Sequence, residues 1–383
     1  MKIMEMEKPV CNRFSSGPCT KRQGWYAPSC ALVGRSHRSK DCLSLIQDVI
    51  ALQKKVLKIP SYYQVGVVAG SATGAMEMLM WSLLGERGVD VLVGCLFSSH
   101  WANDITNELK IEDYRLFIGE FPNLPDVSHV DFDRDLVFCL SATTSGAAFL
   151  NQDWIPRSRE GLVLCDAASA AFTMDFDWER LDAVAFSWQK GLGGEAGFGT
   201  IVLSPRAMQR LGSYEPNRPI PRLFRIASDK KVRTDLFQGA TINSPSMICL
   251  EDFRNSLLWA EQQGGVDELL RRVEQNYSVM KEWMAKQDIF YFLVDEKQRA
   301  HHIACLGISF EKYRTLSEKE KWDFLKNIVA VCEREEAGVD FLGHAQTKPN
   351  LRVWMGPTIE SQDLKKFLPW LEFAYAEVSA KCY

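Results

Sequence analysis

The stretch Phe186-Ser187-Trp188-Gln189-Lys190-Gly191-Leu192-Gly193-Gly194-Glu195 constrains the fold more than any other, because an apolar run ends in a lysine that passes straight into glycine-rich backbone. The preceding Leu181-Asp182-Ala183-Val184-Ala185-Phe186 is of the short apolar kind buried on both faces of a parallel sheet. Lys190 is therefore expected at the carboxyl edge of such a sheet, where open α/β folds bind ligands. A second run, Leu162-Val163-Leu164-Cys165, ends in Asp166, so two strands deliver an acid and an amine to one edge.

That pairing matches what pyridoxal phosphate requires, an amine for a Schiff base and a carboxylate for the pyridine nitrogen. A structural ion pair between strand ends would use the same two residues, and by spacing alone both readings stand. The glycines after Lys190 favour the ligand, since residues without Cβ let a planar ring approach the backbone and let the loop take positive φ. A turn needing several glycines would explain them, but neither Lys190 nor Asp166.

At 383 residues, 46% hydrophobic and 25% charged, the chain can bury a large core, and two lobes are expected. A net charge of -4 gives no basic field of the kind that nucleic acid or an acidic membrane attracts. No apolar run reaches about 18 residues, and residues 1–10 are charged rather than an apolar leader, so a cytoplasmic protein without membrane or nucleic-acid partners is expected. Among eleven cysteines, Cys95, Cys139, Cys165, Cys249 and Cys305 lie in apolar runs as small hydrophobes. With no CxxC pair and no HxxxH spacing, no metal site is expected.

Along the chain, Leu43, Ile46, Ile50 and Leu57 mark one face of a helix that stops before Pro60. Gly70-Ser71-Ala72-Thr73-Gly74 follows a strand at 65–68 and opens a helix over 75–84, with Ser71 or Thr73 as cap or with free backbone N–H groups for a phosphate. Strands are expected at 65–68, 89–96, 114–118, 136–140, 162–166, 184–188 and 200–203, alternating with crossovers in a mostly parallel sheet. Past Pro245 come long amphipathic helices, one carrying Leu269, Val273, Tyr277, Met280 and Met284. A strand at 303–310, a helix entered through a Ser317 to Glu320 capping box, a strand at 351–355 and a last helix from Ser361 that Pro369 should kink or break complete the second lobe.

Arg13-Phe14-Ser15-Ser16-Gly17-Pro18-Cys19, Gly34-Arg35-Ser36-His37-Arg38-Ser39, Ser187-Trp188-Gln189-Lys190 and Thr241-Ile242-Asn243-Ser244-Pro245-Ser246 together resemble the phosphoserine aminotransferases, class V of the fold type I pyridoxal phosphate enzymes, over nearly the whole chain. The resemblance implies an α/β fold type I transferase with a large cofactor domain over 16–255 and a smaller α+β domain over 256–383, joined by the N-terminal segment 1–15. It implies Lys190 as the Schiff-base lysine and proton carrier, Asp166 as partner of the pyridine nitrogen, Trp101 as the ring stacked on the cofactor and Thr143 as the hydroxyl near its ring oxygen. Ser71, Ala72 and Gln189 correspond to its phosphate cradle. Asn243 and Ser244 correspond to positions that reach the phosphate of the neighbouring subunit, which implies a homodimer with shared sites. Arg352 matches the residue that takes the substrate α-carboxylate, and His37 and Arg38 the partner-supplied pair for its phosphate or side-chain carboxylate.

The chain also departs from the family pattern. Ser141-Ala142-Thr143-Thr144-Ser145-Gly146 stands for the usual Asn-Gly-Thr-Thr-Ser-Gly, and Asp166-Ala167-Ala168-Ser169 for Asp-Ala-Thr-Ser. His301-His302 replaces a more polar stretch, and His344-Ala345-Gln346-Thr347 lacks a second arginine expected before Arg352, leaving His344 as its possible substitute. The expected activity is glutamate-dependent transamination of phosphoserine. The alternatives are an aminotransferase for another acidic or polar amino and oxo acid pair, and a lyase or decarboxylase on the same fold.

Overall fold

The computed structural model describes residues 6–28 and 30–382, so residues 1–5 of the N-terminal segment lie outside the described residues. Seven short strands form the central sheet: β1 (Gln64–Ala69), β2 (Val89–Val93), β3 (Tyr114–Ile118), β4 (Asp135–Cys139), β7 (Val163–Asp166), β8 (Ala183–Ser187) and β9 (Phe198–Leu203). Their order is β1-β9-β8-β7-β4-β2-β3. Apart from the edge strand β3, which is largely exposed, these apolar runs are buried on both faces. Along β8, Val184 and Phe186 enter the core on one side while Ala183 and Ala185 enter the core on the other.

Neighbours from β3 through β8 pair in parallel, whereas β9 runs antiparallel to both β8 and β1. Only residues 188–197 separate β8 from β9, too short a connection for a parallel crossover, so the chain must return as a reversed strand. The helix α2 (Ser71–Leu83) covers the alanine side of β8 and β9, while α1 (Lys40–Val56) packs along α5 (Met247–Gln263). Trp188 stacks on Phe253 of α5 with ring centroids 4.4 Å apart and donates Nε1–H to Thr200 at 3.0 Å. These contacts fix the backbone that carries Lys190.

Two small hairpins, β5 (Ser141–Ala142) with β6 (Ala147–Ala148) and β10 (Ala227–Ser228) with β11 (Lys231–Val232), decorate the large lobe. The second lobe holds the antiparallel sheet β12 (Phe290–Phe292), β13 (Ile303–Ile308) and β14 (Leu351–Trp354), backed by α6 (Val266–Met284), α8 (Glu318–Arg334) and α9 (Ser361–Cys382). The N-terminal segment is stitched to this lobe, Phe14 donating N–H to Val339 and accepting from Trp354 N–H at 3.0 Å. Among the described residues no helix is long and apolar enough to cross a membrane.

Three expectations need correction. The strand expected over 89–96 stops at Val93, because Cys95 and Ser98 form a reciprocal capping box that starts α3 (Leu96–Asn103). The helix expected from residue 75 begins at Ser71 and ends at Leu83, with Gly70 as its cap. Pro369 does not break α9, whose flanking Phe367, Leu368, Trp370 and Leu371 are buried, so tertiary packing outweighs the one lost backbone hydrogen bond.

Candidate active site

At the carboxyl edge of β4, β7 and β8 lies a cavity of about 310 Å3. Asp166 is the last residue of β7 and pairs with Ala185 of β8, which delivers Lys190 three residues beyond its end. Ser71, Ala72, Trp101, Thr143, Asp166, Gln189, Lys190, His344 and Arg352 all line this cavity. The candidate residues thus converge from both lobes and from positions 281 apart in sequence (352 - 71).

Asp166 is buried and held on every side. Its Oδ2 accepts the Trp101 indole N–H at 3.0 Å and faces the Cys139 thiol at 3.6 Å, and its Oδ1 accepts the Ala168 N–H at 2.9 Å. Burial pushes its pKa up, opposed by the Ala168 N–H, the charge of Lys190 and the Trp101 contact. Such a carboxylate favours a cationic neighbour. Lys190 shows the converse: burial pushes its pKa down, Cys19 and Asp166 hold it up, and Arg352 lowers it further. Its Nζ sits 5.5 Å from the centroid of Phe97. A lysine with a lowered pKa keeps more of its amine free to act as nucleophile and base.

The N-terminal segment closes over this lysine. A Cβ on Gly17, whose φ is +149°, would meet Lys190 Cε at 3.1 Å, and Cys19 N–H donates to the Gln189 carbonyl at 2.7 Å. Ser16 and Gly17 therefore belong to the cavity wall.

The start of α2 faces the same space. Gly70, with φ +87°, caps the helix without a side-chain hydrogen bond, and Ser71 itself has φ +59°. The first N–H groups of such a helix have no partner within it, and their dipole favours an anion. Backbone packs tightly here, since a Cβ on Gly199 would lie 2.2 Å from the Ser71 carbonyl. Gln189 Nε2 donates to Ser71 Oγ at 2.9 Å, tying the lysine loop to the helix start.

Arg352 on β14 lies opposite Cys305 and is half-buried. Its Nε makes one long contact to the Leu342 carbonyl at 3.5 Å, and no carboxylate pairs with it among the described residues. Burial lowers its pKa, opposed by Cys305 and Cys19. A desolvated guanidinium without a counterion is a receptor for a carboxylate or phosphate. His344 stands beside it, and burial, then Arg352 and His100, push its pKa down, which favours the neutral ring.

His37, Arg38, Asn243 and Ser244 do not line the cavity of their own chain; Arg38, Asn243 and Ser244 are exposed and His37 is half-buried. Of the paired histidines, His301 points away, packed on Tyr277 with centroids 4.0 Å apart and paired with Glu274. His302 is buried behind Ser141. Ser141, Phe97 and Ser187 are lining residues that the sequence reading gave no role. Phe97 was within reach of sequence, one helical turn before Trp101 on the same face.

These residues suit pyridoxal phosphate. The uncapped helix start matches a phosphate, the amine and carboxylate match the aldehyde and ring nitrogen, and Ser187 Oγ is a buried hydroxyl in the wall without a hydrogen-bond partner among the described residues.

No family model matches the chain. The phosphoserine aminotransferase of Methanosarcina mazei is 44% identical to it over 378 residues, covering 98% of this chain and 99% of that protein. The phosphoserine aminotransferase of Methanosarcina barkeri is 43% identical over 365 residues, covering 94% and 96%. Among solved structures, the phosphoserine aminotransferase of Bacillus circulans subsp. alkalophilus has a TM-score of 0.76 at 18% identity, covering 95% of this chain and 98% of that one. At such identity the structural likeness speaks for the fold, an α/β fold type I aminotransferase architecture.

Proposed function

The chain belongs to the phosphoserine aminotransferase family, and on that premise we propose that it is a cytoplasmic homodimer that uses pyridoxal phosphate to exchange an amino group between phosphoserine and 2-oxoglutarate. The observation that carries this reading is the convergence of Lys190, Asp166 and the uncapped start of α2 on one cavity, with Arg352 unpaired at its mouth. The described cysteines are free thiols, which suits a reducing compartment.

When bound, pyridoxal phosphate supplies an aldehyde that condenses with amines and a ring that accepts the electrons left when the substrate Cα loses its proton. Ser71, Ala72 and Gln189 would hold the phosphate, Trp101 the ring face, Thr143 the ring oxygen and Asp166 the ring nitrogen. Asp166 would keep that nitrogen protonated. Lys190 would bind the aldehyde carbon through Nζ, and its amine, when free, would hold and move the proton of the substrate Cα. Arg352 receives the α-carboxylate common to both substrates through its two free N–H arms. Ser16 and Gly17 keep water from the lysine. Asn243, Ser244, His37 and Arg38, which lie outside their own cavity, serve the site of the partner subunit.

A second reading is favoured by one observation. His344 leans neutral and the stretch His344-Ala345-Gln346-Thr347 carries no arginine, so the substrate side-chain end has less positive charge than phosphate recognition normally uses. On that reading the acceptor carries another acidic or polar group. Borohydride reduction of the yellow protein tests the first reading at its root: peptide mapping should place the label on Lys190, and labelling elsewhere refutes the site. A panel of amino donors and oxo acids then separates the two substrates, and ammonia or carbon dioxide released without any oxo acid would point to a lyase or decarboxylase.

A further inference from the structure

We propose that Ser141 donates a hydrogen bond to an anionic oxygen held in the active-site cavity, and that His302 is the positioning residue that aims its hydroxyl there. Ser141 lines the cavity with Thr143, and His302 Nε2 lies 2.9 Å from Ser141 Oγ. The ring of His302 is fully buried and fixed. It packs edge-on against Trp354 at 5.4 Å, and the His302 carbonyl accepts Met355 N–H at 2.8 Å.

Which atom of the pair carries the proton follows from the other nitrogen. His302 Nδ1 is buried and finds no partner among the described residues. Burial, then the charge of Lys190, pushes the imidazole down to about 3, so the ring is neutral and carries one proton. An orphaned N–H buried in protein is rarer and costlier than an under-satisfied acceptor, so the proton belongs on Nε2, which has a partner, and Nδ1 is left as a bare lone pair. Nε2–H then donates to Ser141 Oγ and occupies one of its lone pairs. The serine hydrogen cannot point back at the donor and turns to the cavity, the open side of this side chain. A neutral imidazole that never titrates in the physiological range makes this orientation permanent.

The acceptor has one chemistry and two sources. On the functional reading above, it is either the ring oxygen of the cofactor, beside Thr143, or the α-carboxylate that Arg352 holds. A serine in place of the longer amide of the family pattern shortens the reach of this position, and His302 restores the direction that a bare hydroxyl would lack.

The test compares wild type with Ser141→Ala, His302→Phe, His302→Gln and the Ser141→Ala/His302→Phe double variant. Uptake of pyridoxal phosphate by cofactor-free protein is followed by quenching of tryptophan fluorescence, and kcat and KM for glutamate are measured at saturating cofactor. Loss of one charge-assisted hydrogen bond predicts a roughly ten- to hundredfold fall for Ser141→Ala and His302→Phe alike. A fall in cofactor affinity assigns the ring oxygen; a rise in KM with cofactor affinity intact assigns the carboxylate. His302→Gln, whose amide N–H can sit near Nε2, should stay close to wild type, and the double variant should be no worse than Ser141→Ala. Unchanged single variants, or a His302→Phe loss that persists on the Ser141→Ala background, overturn the inference while the functional reading stands. Wild type that takes up no pyridoxal phosphate overturns both.

Discussion

Arg352→Lys isolates what the fork of a guanidinium does that a point charge cannot. Among the described residues the side chain is committed to nothing but a 3.5 Å contact between Nε and the Leu342 carbonyl, and no acidic residue neutralises it. Both terminal N–H groups are free for one carboxylate. Lysine preserves the charge but offers a single point of contact, so one charge-assisted hydrogen bond is lost, worth about 1.5–3 kcal/mol or about ten- to a hundredfold in kcat/KM. Every substrate of the proposed reaction carries the same α-carboxylate, so phosphoserine, glutamate and 2-oxoglutarate should all fall together and their ratios should hold. Single-turnover absorbance changes of the bound cofactor with each amino donor read the two half-reactions separately. Melting temperature should not drop, because burial already disfavours this charge and no ion pair is lost. A fall confined to phosphoserine would show that Arg352 serves the phosphate instead, and no fall would remove it from the site.

Ala345→Arg or Gln346→Arg, at exposed positions just outside the cavity and next to its lining residue His344, should raise kcat/KM for phosphoserine by about tenfold or more while leaving glutamate nearly unchanged, if the long side chain reaches the substrate side-chain end as one charge-assisted contact; no gain, or an equal gain for both donors, would contradict that reach. Mixing Lys190→Ala chains with Arg38→Ala chains, each inactive toward phosphoserine alone, and refolding them together should recover phosphoserine activity in hybrid dimers, whereas dead mixtures beside active refolded wild type would mean unshared sites. His302 should make the fold acid-labile: its folded pKa of about 3 lies below its ordinary value of 6.5, so full stability holds above pH 6.5 and is lost as pH falls toward 3. At pH 5 the loss attributable to this ring is about 2 kcal/mol, at about 1.4 kcal/mol per pH unit, and denaturant titrations should find it missing in His302→Gln; an equal loss in the variant would contradict the assignment.

What sequence could reveal depended on whether the signal was local. Lys190 and Asp166 stand at the ends of short apolar runs, and a strand buried on both faces announces its own end, so their meeting at one sheet edge was readable. The start of α2 stood between two readings, because hydroxyl residues near a helix start suggest a side-chain cap as readily as free N–H groups; Gly70 takes the left-handed conformation and no side chain caps the helix, which decides for the second. The missing cap is the useful feature, and nothing in the string Gly-Ser-Ala-Thr-Gly distinguishes it from a capped start. The reversal of β9 was implicit in the shortness of 188–197. Ser141 and His302, by contrast, are 161 residues apart and belong to different lobes, and no periodicity links them.

The remaining gap has a physical cause that one chain cannot remove. Within its own cavity the chain supplies Lys190 and Arg352 as cations, while His344 leans neutral. Those two charges suffice for the parts that phosphoserine and glutamate share: the amino group, the Cα proton and the α-carboxylate. They do not suffice for a dianionic phosphate, which normally draws several cations or N–H donors. On the proposed reading the discriminating charge comes from His37 and Arg38 across the subunit interface. Chemistry would then reside within the subunit and substrate choice between subunits, so substitutions at the dimer contact should change the ratio of phosphoserine to glutamate use before they change the glutamate half-reaction itself.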